Sequence, residues 1–280
     1  MKTITDPKIF QKEMERLRRK GKTIGFVPTM GALHEGHLSL FRKARKENSI
    51  VAASIFVNPT QFGPKEDFMK YPRVLARDSR LLKKEKVDYL FYPDAKAIYP
   101  EGFVAKIKVH KLTEGLDGKF RPGHFEGVAT VVAKLFHISK PHRVYFGAKD
   151  YQQAMMIRRM IEDLNFDIEF RLCLTVREKD GLAMSSRNRF LSPKDRSRAV
   201  SISQTLFRLE KEIRSGRRDI LKLKQTARQA LAHQVDRIDY LEIVDPLSLV
   251  PLRRFQPWMV AAVACFIGKT RLIDNVIITA

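Results

Sequence analysis

The chain has 280 residues, 44% hydrophobic and 30% charged, enough for one large or two medium domains around a sizeable core. Its longest strongly apolar run, Trp258 to Ile267, is too short to span a bilayer, and the first seven residues carry no apolar signal-peptide core. The net charge of +22 suits anionic partners, but the Lys and Arg are interleaved with acids and apolar residues. That spread favours solvated basic faces on an enzyme over a nucleic-acid binder, which concentrates its charge.

Asp6-Pro7 opens a first helix with an apolar stripe at Ile9, Phe10, Met14 and Leu17, stopped by Lys20-Gly21. Thr23 to Val27 reads as a buried strand. A loop rich in Pro and Gly follows, and Leu38, Leu40, Phe41 and Ala44 then recur at helical spacing. Ile50 to Val57 reads as a second parallel strand, Val74 to Lys84 as a helix and Asp88 to Pro93 as a third strand. Phe103 to Val109 reads as a peripheral strand and Thr113 to Gly127 as a long polar loop. Val128 to Ile138 is a helix, Arg143 to Gly147 a strand, and a helix then runs to about Asn165. Asp167 to Val176 is the last strand of this half. Two basic helices, 193–214 and 219–234, are joined by Ser215-Gly216, and three strands follow at 238–244, 259–267 and 271–278. The expected architecture is α/β: a Rossmann-like doubly wound parallel sheet over 1–178 and a smaller α+β C-terminal domain over 179–280. Cys173 and Cys265 sit in strand-like contexts and read as buried hydrophobes of a reducing cytoplasm.

The stretch Phe26 to Leu40 carries the most chemistry. His34 and His37 lie at a helix start, where unpaired N–H groups and the helix dipole favour phosphate. Residues three apart share one face, and each imidazole can donate to a phosphate oxygen. The spacing differs from the helical zinc pair of two histidines four apart around a Glu. Lys149 and Asp150 open the helix after the 143–147 strand; Lys149 is a point charge for phosphate, and Asp150 can cap, hold a sugar hydroxyl or bind metal. Ser185, Ser186 and Arg187 put two hydroxyls and a guanidinium in one loop, which suits a polyphosphate. Asn58, Gln61 and Gln153 can read a small hydroxylated acid. No P-loop and no Gly-x-Ser-x-Gly elbow is present. Many phosphate donors without an activated nucleophile suit transfer at phosphorus by positioning and electrostatics.

Val27 to Leu38, Ser54 to Phe62, Phe146 to Gln153 and Asp180 to Asn188, with Tyr71-Pro72-Arg73 and Arg121 to Phe125, together resemble the pantoate–β-alanine ligase (pantothenate synthetase) family. The match runs in order along the whole chain. The resemblance implies a homodimeric enzyme with a Rossmann-like N-terminal domain and a C-terminal lid. It implies a ligase that joins pantoate to β-alanine with ATP and Mg²⁺, through a pantoyl adenylate, releasing AMP and pyrophosphate. By motif match, His34, His37, Lys149 and Arg187 are its catalytic residues. ATP contacts fall on Met30, Gly31, His34, His37, Gly147, Lys149, Asp150, Val176, Met184, Ser185, Ser186 and Arg187. Gln61 and Gln153 hold pantoate. Ala148 stands where the family often has Glu, and the 137–142 segment is more basic than usual. Asp78 matches an acidic position associated with metal in some members, while no metal ligand is assigned here. Two other readings stand beside this one: a nucleotidyltransferase that stops at AMP transfer, and a basic RNA-binding module.

Overall fold

The computed structural model describes every residue except Lys65 and Asp67. The chain divides into two compact units, each discontinuous in sequence. The first comprises Met1–His110, Arg121–Gly147 and Gln153–Leu174; the second comprises Lys111–Phe120, Ala148–Gln152 and Thr175–Ala280.

The first unit is built on a parallel sheet of β1 (Lys2–Ile4), β2 (Ile24–Thr29), β3 (Ile50–Ile55), β4 (Tyr89–Phe91), β5 (Arg143–Gly147) and β6 (Glu169–Cys173). Its strand order is β1-β4-β3-β2-β5-β6. Its helices are α1 (Pro7–Arg19), α2 (Glu35–Glu47), α3 (Leu75–Lys84), α4 (Ala95–Ile98), α6 (His124–Ser139) and α7 (Tyr151–Asp163) from Gln153 onward, while α5 (Asp117–Phe120) belongs to the second unit. The order reverses between β2 and β5, because β2–α2–β3 winds one way and β5–α7–β6 the other. In such a sheet the carboxyl ends beside the reversal form the ligand crevice. Alternation along the strands explains why both faces are covered. Val27, Val51, Ala53 and Tyr145 pack in one cluster with Leu38, Phe41 and Ala44 of α2 and Leu82 of α3. On the other face Phe10 of α1 meets Phe91 at 4.8 Å, and Phe136 of α6 meets Phe146 edge-on at 6.5 Å. Burying one such ring contributes about 1.5–3 kcal/mol. α1 starts as its sequence predicts: Pro7 is at the first turn and Asp6 Oδ1 accepts from the Ile9 N–H at 2.8 Å.

Four local expectations change. Residues 103–109 form no strand; the Ile107 N–H goes to the Thr130 hydroxyl at 3.0 Å instead of a neighbouring strand. The 113–127 loop contains α5 and the first turn of α6, which begins at His124 behind Gly123 at φ 80°. β1, which the sequence does not announce, pairs with β4 at the sheet edge. The strand expected over 167–176 is shorter, Glu169–Cys173.

The second unit is an antiparallel sheet in the order β7-β8-β9 (Arg237–Val244, Trp258–Ile267, Thr270–Thr279) covered by α8 (Pro193–Arg214) and α9 (Ile220–Ala232). Leu206, Leu209, Ile213 and Leu231 of the helices pack on Met259, Val263, Cys265 and Ile278 of the strands. Burial pushes the Cys265 thiol up to about 12, so it behaves as a small hydrophobe. Two segments earlier in sequence than the expected boundary at 178 join this unit through side chains of β9. Arg271 Nη2 donates to Asp117 Oδ1 at 2.7 Å, and Asn275 Nδ2 donates to the Ala148 and Lys149 carbonyls at 2.8 Å each.

Candidate functional site

Met30 follows the carboxyl end of β2, and Gly31 and Ala32 then both take left-handed conformations, φ 83° and 52°. Gly31 requires glycine twice over: a Cβ there would lie 3.0 Å from both Asp78 Oδ2 and Ile55 Cγ2. Three successive amides of this turn are taken by side chains. The Gly31 N–H reaches Thr29 Oγ1 at 3.2 Å, and the Ala32 and Leu33 N–H groups donate to the two oxygens of Asp78 at 2.7 and 2.9 Å. The chain leaves this turn extended at His34, the N-cap of α2. His37 Nδ1 accepts from the His34 N–H at 3.4 Å within a reciprocal capping box, and the two rings lie 4.1 Å apart. With Nδ1 accepting, a neutral His37 carries its proton on Nε2. The capping bond thus sets which nitrogen can donate to a ligand.

Gln61 is held within the first unit through both side-chain amide atoms and its carbonyl. Asn58 Nδ2 donates to Gln61 Oε1 at 3.0 Å and to the Gly127 carbonyl at 3.1 Å. Gln61 Nε2 points at Met30 Sδ, 3.1 Å away, so the structure brings these two expected site residues together. The Tyr99 hydroxyl donates to Asn58 Oδ1 at 2.8 Å; burial raises that phenol, keeping it a neutral donor. His124 Nδ1 lies 2.8 Å from the Gln61 carbonyl and His124 Nε2 2.9 Å from Arg121 Nη1. Arginine can only donate, so Nε2 accepts and Nδ1–H donates to Gln61. Glu66 receives Arg121 through two bonds of 2.7 Å. Burial works to raise the Glu66 carboxyl, but Arg121 outweighs it and holds the group below its usual range. A Cβ on Gly127 would lie 2.4 Å from the Thr60 carbonyl, so this helix can approach the Gln61 turn only as glycine. Gly147 ends β5 half-buried, and Gln153 is half-buried in the first turn of α7. Its neighbour Gln152 is a structural residue: its amide accepts from the Asp117 N–H and donates to the Leu112 and Gly115 carbonyls.

The remaining expected residues belong to the second unit. Lys149 Nζ pairs with Asp150 Oδ1 at 3.7 Å. Val176 and Met184 face each other in a small hairpin, where the Met184 N–H donates to the Val176 carbonyl at 3.0 Å and Arg177 bridges to Ala183. Ser185 then caps a single 3₁₀ turn, Ser186–Phe190, with its Oγ accepting from the Arg187 N–H at 3.2 Å. That bond uses an acceptor site and leaves the Ser185 hydroxyl proton to donate. Arg177 roots the hairpin: it binds both oxygens of Asp274, at 2.7 and 3.0 Å, and the carbonyls of Gly181 and Asn275. Its tip is tied to α8 by Arg196, which reaches Glu178 at 2.6 Å and Asp180 at 2.8 Å. Asn188 Nδ2 donates to Glu178 Oε1 at 3.0 Å.

Sequence reasoning did not assign a role to Asp78, Arg177, Asp274 or Asn275. The side-chain bonds that anchor the two loops span 45 to 127 residues, so no local pattern marks these four.

Among the described residues no three or more His, Cys, Asp or Glu converge into a metal cluster. Asp78 presents a poor donor: it is 1% exposed and both oxygens already accept backbone N–H groups. Asp150, half-exposed beside Lys149, suits a Mg²⁺ carried mainly by phosphate oxygens and water.

A doubly wound parallel sheet with polar loops at its carboxyl edge, plus a small antiparallel unit, defines an α/β fold built to receive a ligand at strand ends. Residues 2–277 match the family model for pantoate-β-alanine ligase. The chain is 52% identical over 278 residues to the pantothenate synthetase of Sulfurihydrogenibium sp. (strain YO3AOP1), covering 99% of each. It is similar to the crystal structure of pantothenate synthetase from Thermus thermophilus, with TM-score 0.94, 45% identity and 99% coverage of both chains. It is also similar to the pantoate-β-alanine ligase of Francisella tularensis, complexed with β-γ ATP and β-alanine, with TM-score 0.80, 37% identity and coverage of 99% and 97%. The chain belongs to the pantoate–β-alanine ligase family and is an enzyme of the ligase class.

Proposed function

We propose that this enzyme condenses pantoate with β-alanine at the expense of ATP, through a pantoyl adenylate. Family membership supports the overall reaction, and the ATP and β-alanine of the Francisella complex support the substrates. The observation that carries the mechanism is the His34–His37 capping pair at the start of α2, beside the strand-order reversal. In the first step a pantoate carboxylate oxygen attacks the α-phosphorus and pyrophosphate leaves. In the second the β-alanine amine attacks the acyl carbon, and the acyl–oxygen bond breaks to release AMP. His37 Nε2–H, fixed as donor by the Nδ1 bond, and His34 steady the charge growing on the α-phosphate. Met30 and Gly31 border the nucleotide, with Gly147, Val176 and Met184 against the nucleoside. Lys149, Ser185, Ser186 and Arg187 clamp the phosphates, and Asp150 takes the ribose or faces a phosphate-borne metal. Gln61 and Gln153 hold pantoate; the support for Gln61 is its fixed amide. Mg²⁺ bound with the nucleotide would neutralise phosphate charge and help pyrophosphate leave. We assign ATP and pantoate binding to 1–178, a lid role to 179–280, and a homodimer in the cytoplasm as the working state.

The test is a pyrophosphate assay with each substrate omitted in turn. Sustained pyrophosphate and AMP are expected only with ATP, pantoate and β-alanine together. Multiple turnovers of AMP without β-alanine, or no ATP consumption with all three, would refute the reading.

A further inference from the structure

We propose that Asp78 is a positioning residue for the nucleotide loop: its carboxylate clamps the Gly31–Leu33 turn and so sets His34 and His37 at the start of α2. The inference rests on the proposed role of that loop. Four observations carry it. Asp78 reaches the loop from the first turn of α3, 45 and 46 residues away in sequence. It is 1% exposed, so its two bonds are not exchanged with water. Ala32, a non-glycine residue, stands at φ 52°, a conformation that persists only where surroundings over-determine it. The clamped Leu33 N–H immediately precedes the His34 cap. Two successive N–H groups of a left-handed turn make a small anion cradle, and here the anion is supplied by the protein itself. A carboxylate this buried, with each oxygen already accepting a backbone N–H, is a poor ligand for a metal. The acidic position that the family resemblance associates with metal in some members therefore acts on the backbone here.

The experiment uses the full-length enzyme. In the wild type, amide hydrogen exchange at Ala32 and Leu33 is expected to be as slow as in β2 and β3, although neither residue lies in a helix or strand; fast exchange overturns the clamp without any variant. In Asp78→Asn, an amide NH₂ faces one of the two donors. Exchange at Ala32 and Leu33 should accelerate, and turnover should fall about 100-fold, the scale of a 1 Å misplacement. Binding of a non-hydrolysable ATP analogue, followed by calorimetry, should weaken, while the Mg²⁺ concentration for half-maximal rate should stay unchanged. A raised Mg²⁺ requirement, restored to full rate by excess metal, would assign Asp78 to the metal and overturn the proposal. Accelerated exchange with wild-type turnover would overturn the positioning role. His34→Ala then separates the two failures: if it lowers turnover, only the Asp78 inference fails; if it does not, the reading of the loop as the nucleotide site fails as well.

Discussion

The two loops that carry the phosphate-binding candidates are anchored by different physics. The Met30–His37 loop is fixed by one fully buried carboxylate, with a threonine hydroxyl and a capping pair that are half-buried. The Val176–Arg187 loop has a buried root, the Arg177–Asp274 pair, but a tip held by Arg196 to Glu178 and Asp180, whose side chains are 34% and 44% exposed. A loop with buried anchors is pre-organised, and removing an anchor costs much. A loop whose tip is tied by solvated charges gives way cheaply. The first arrangement suits groups that must be in place when charge develops at phosphorus; the second suits a segment that adjusts around a nucleotide.

This contrast can be broken at several points. Arg177→Ala would leave Asp274, its side chain 2% exposed, without its cation, and should cost about 3–5 kcal/mol in urea unfolding. A loss below ~1 kcal/mol would show that the root is not buried as described. His37→Ala should lower kcat about 100-fold or more with far-UV circular dichroism and melting little changed, because in the proposed mechanism it removes a donor to the transition state. Unchanged kcat would strike His37 from the catalytic set. Arg196→Ala should cost only ~0.5–1 kcal/mol, discounted for the exposure of its partners, and should raise the KM for ATP more than it lowers kcat. An effect as large as that of Arg177→Ala would erase the distinction between root and tip.

A smaller effect concerns pH and the sheet beneath the first loop. His142 Nδ1 accepts the Ile24 N–H at 3.0 Å, and burial, reinforced by Arg18, holds its pKa below 6.5. The unfolded chain then takes up the proton first, so this contribution to stability is complete above about 6.5 and is lost as pH falls through the lower, folded value. Melting temperatures of wild type and His142→Gln should converge between pH 7.5 and pH 5.5 if the wild type loses the larger share. A constant gap would remove His142 from the account.

Much of this was legible in local sequence. Strand, Pro-Gly turn and His-bearing helix start lie within one window from Thr23 to Ala44, and α8 ends where Ser215-Gly216 stops it. The parts that were not legible depend on distant partners. Residues 103–109 have the β-rich composition of a strand, yet no neighbouring strand takes up the Ile107 N–H, which goes to Thr130. α6 starts four residues before the apolar stripe at Val128, because Gly123 turns the chain there and His124 is engaged by Arg121 and Gln61. β1 is three residues long, too short for any periodicity to register. Asp78 could be flagged by type and position, but its two backbone partners are visible only in three dimensions.

The central claim, that a carboxylate attacks the α-phosphorus steadied by His34 and His37, is tested most directly by isotope transfer. The enzyme is given pantoate labelled with ¹⁸O in its carboxylate, with ATP and β-alanine, and the products are analysed by mass spectrometry. Attack at the α-phosphorus followed by cleavage of the acyl–oxygen bond places one labelled oxygen in AMP and none in pyrophosphate. Label in inorganic phosphate with ADP formed, or unlabelled AMP from fully labelled pantoate, would contradict the adenylate route.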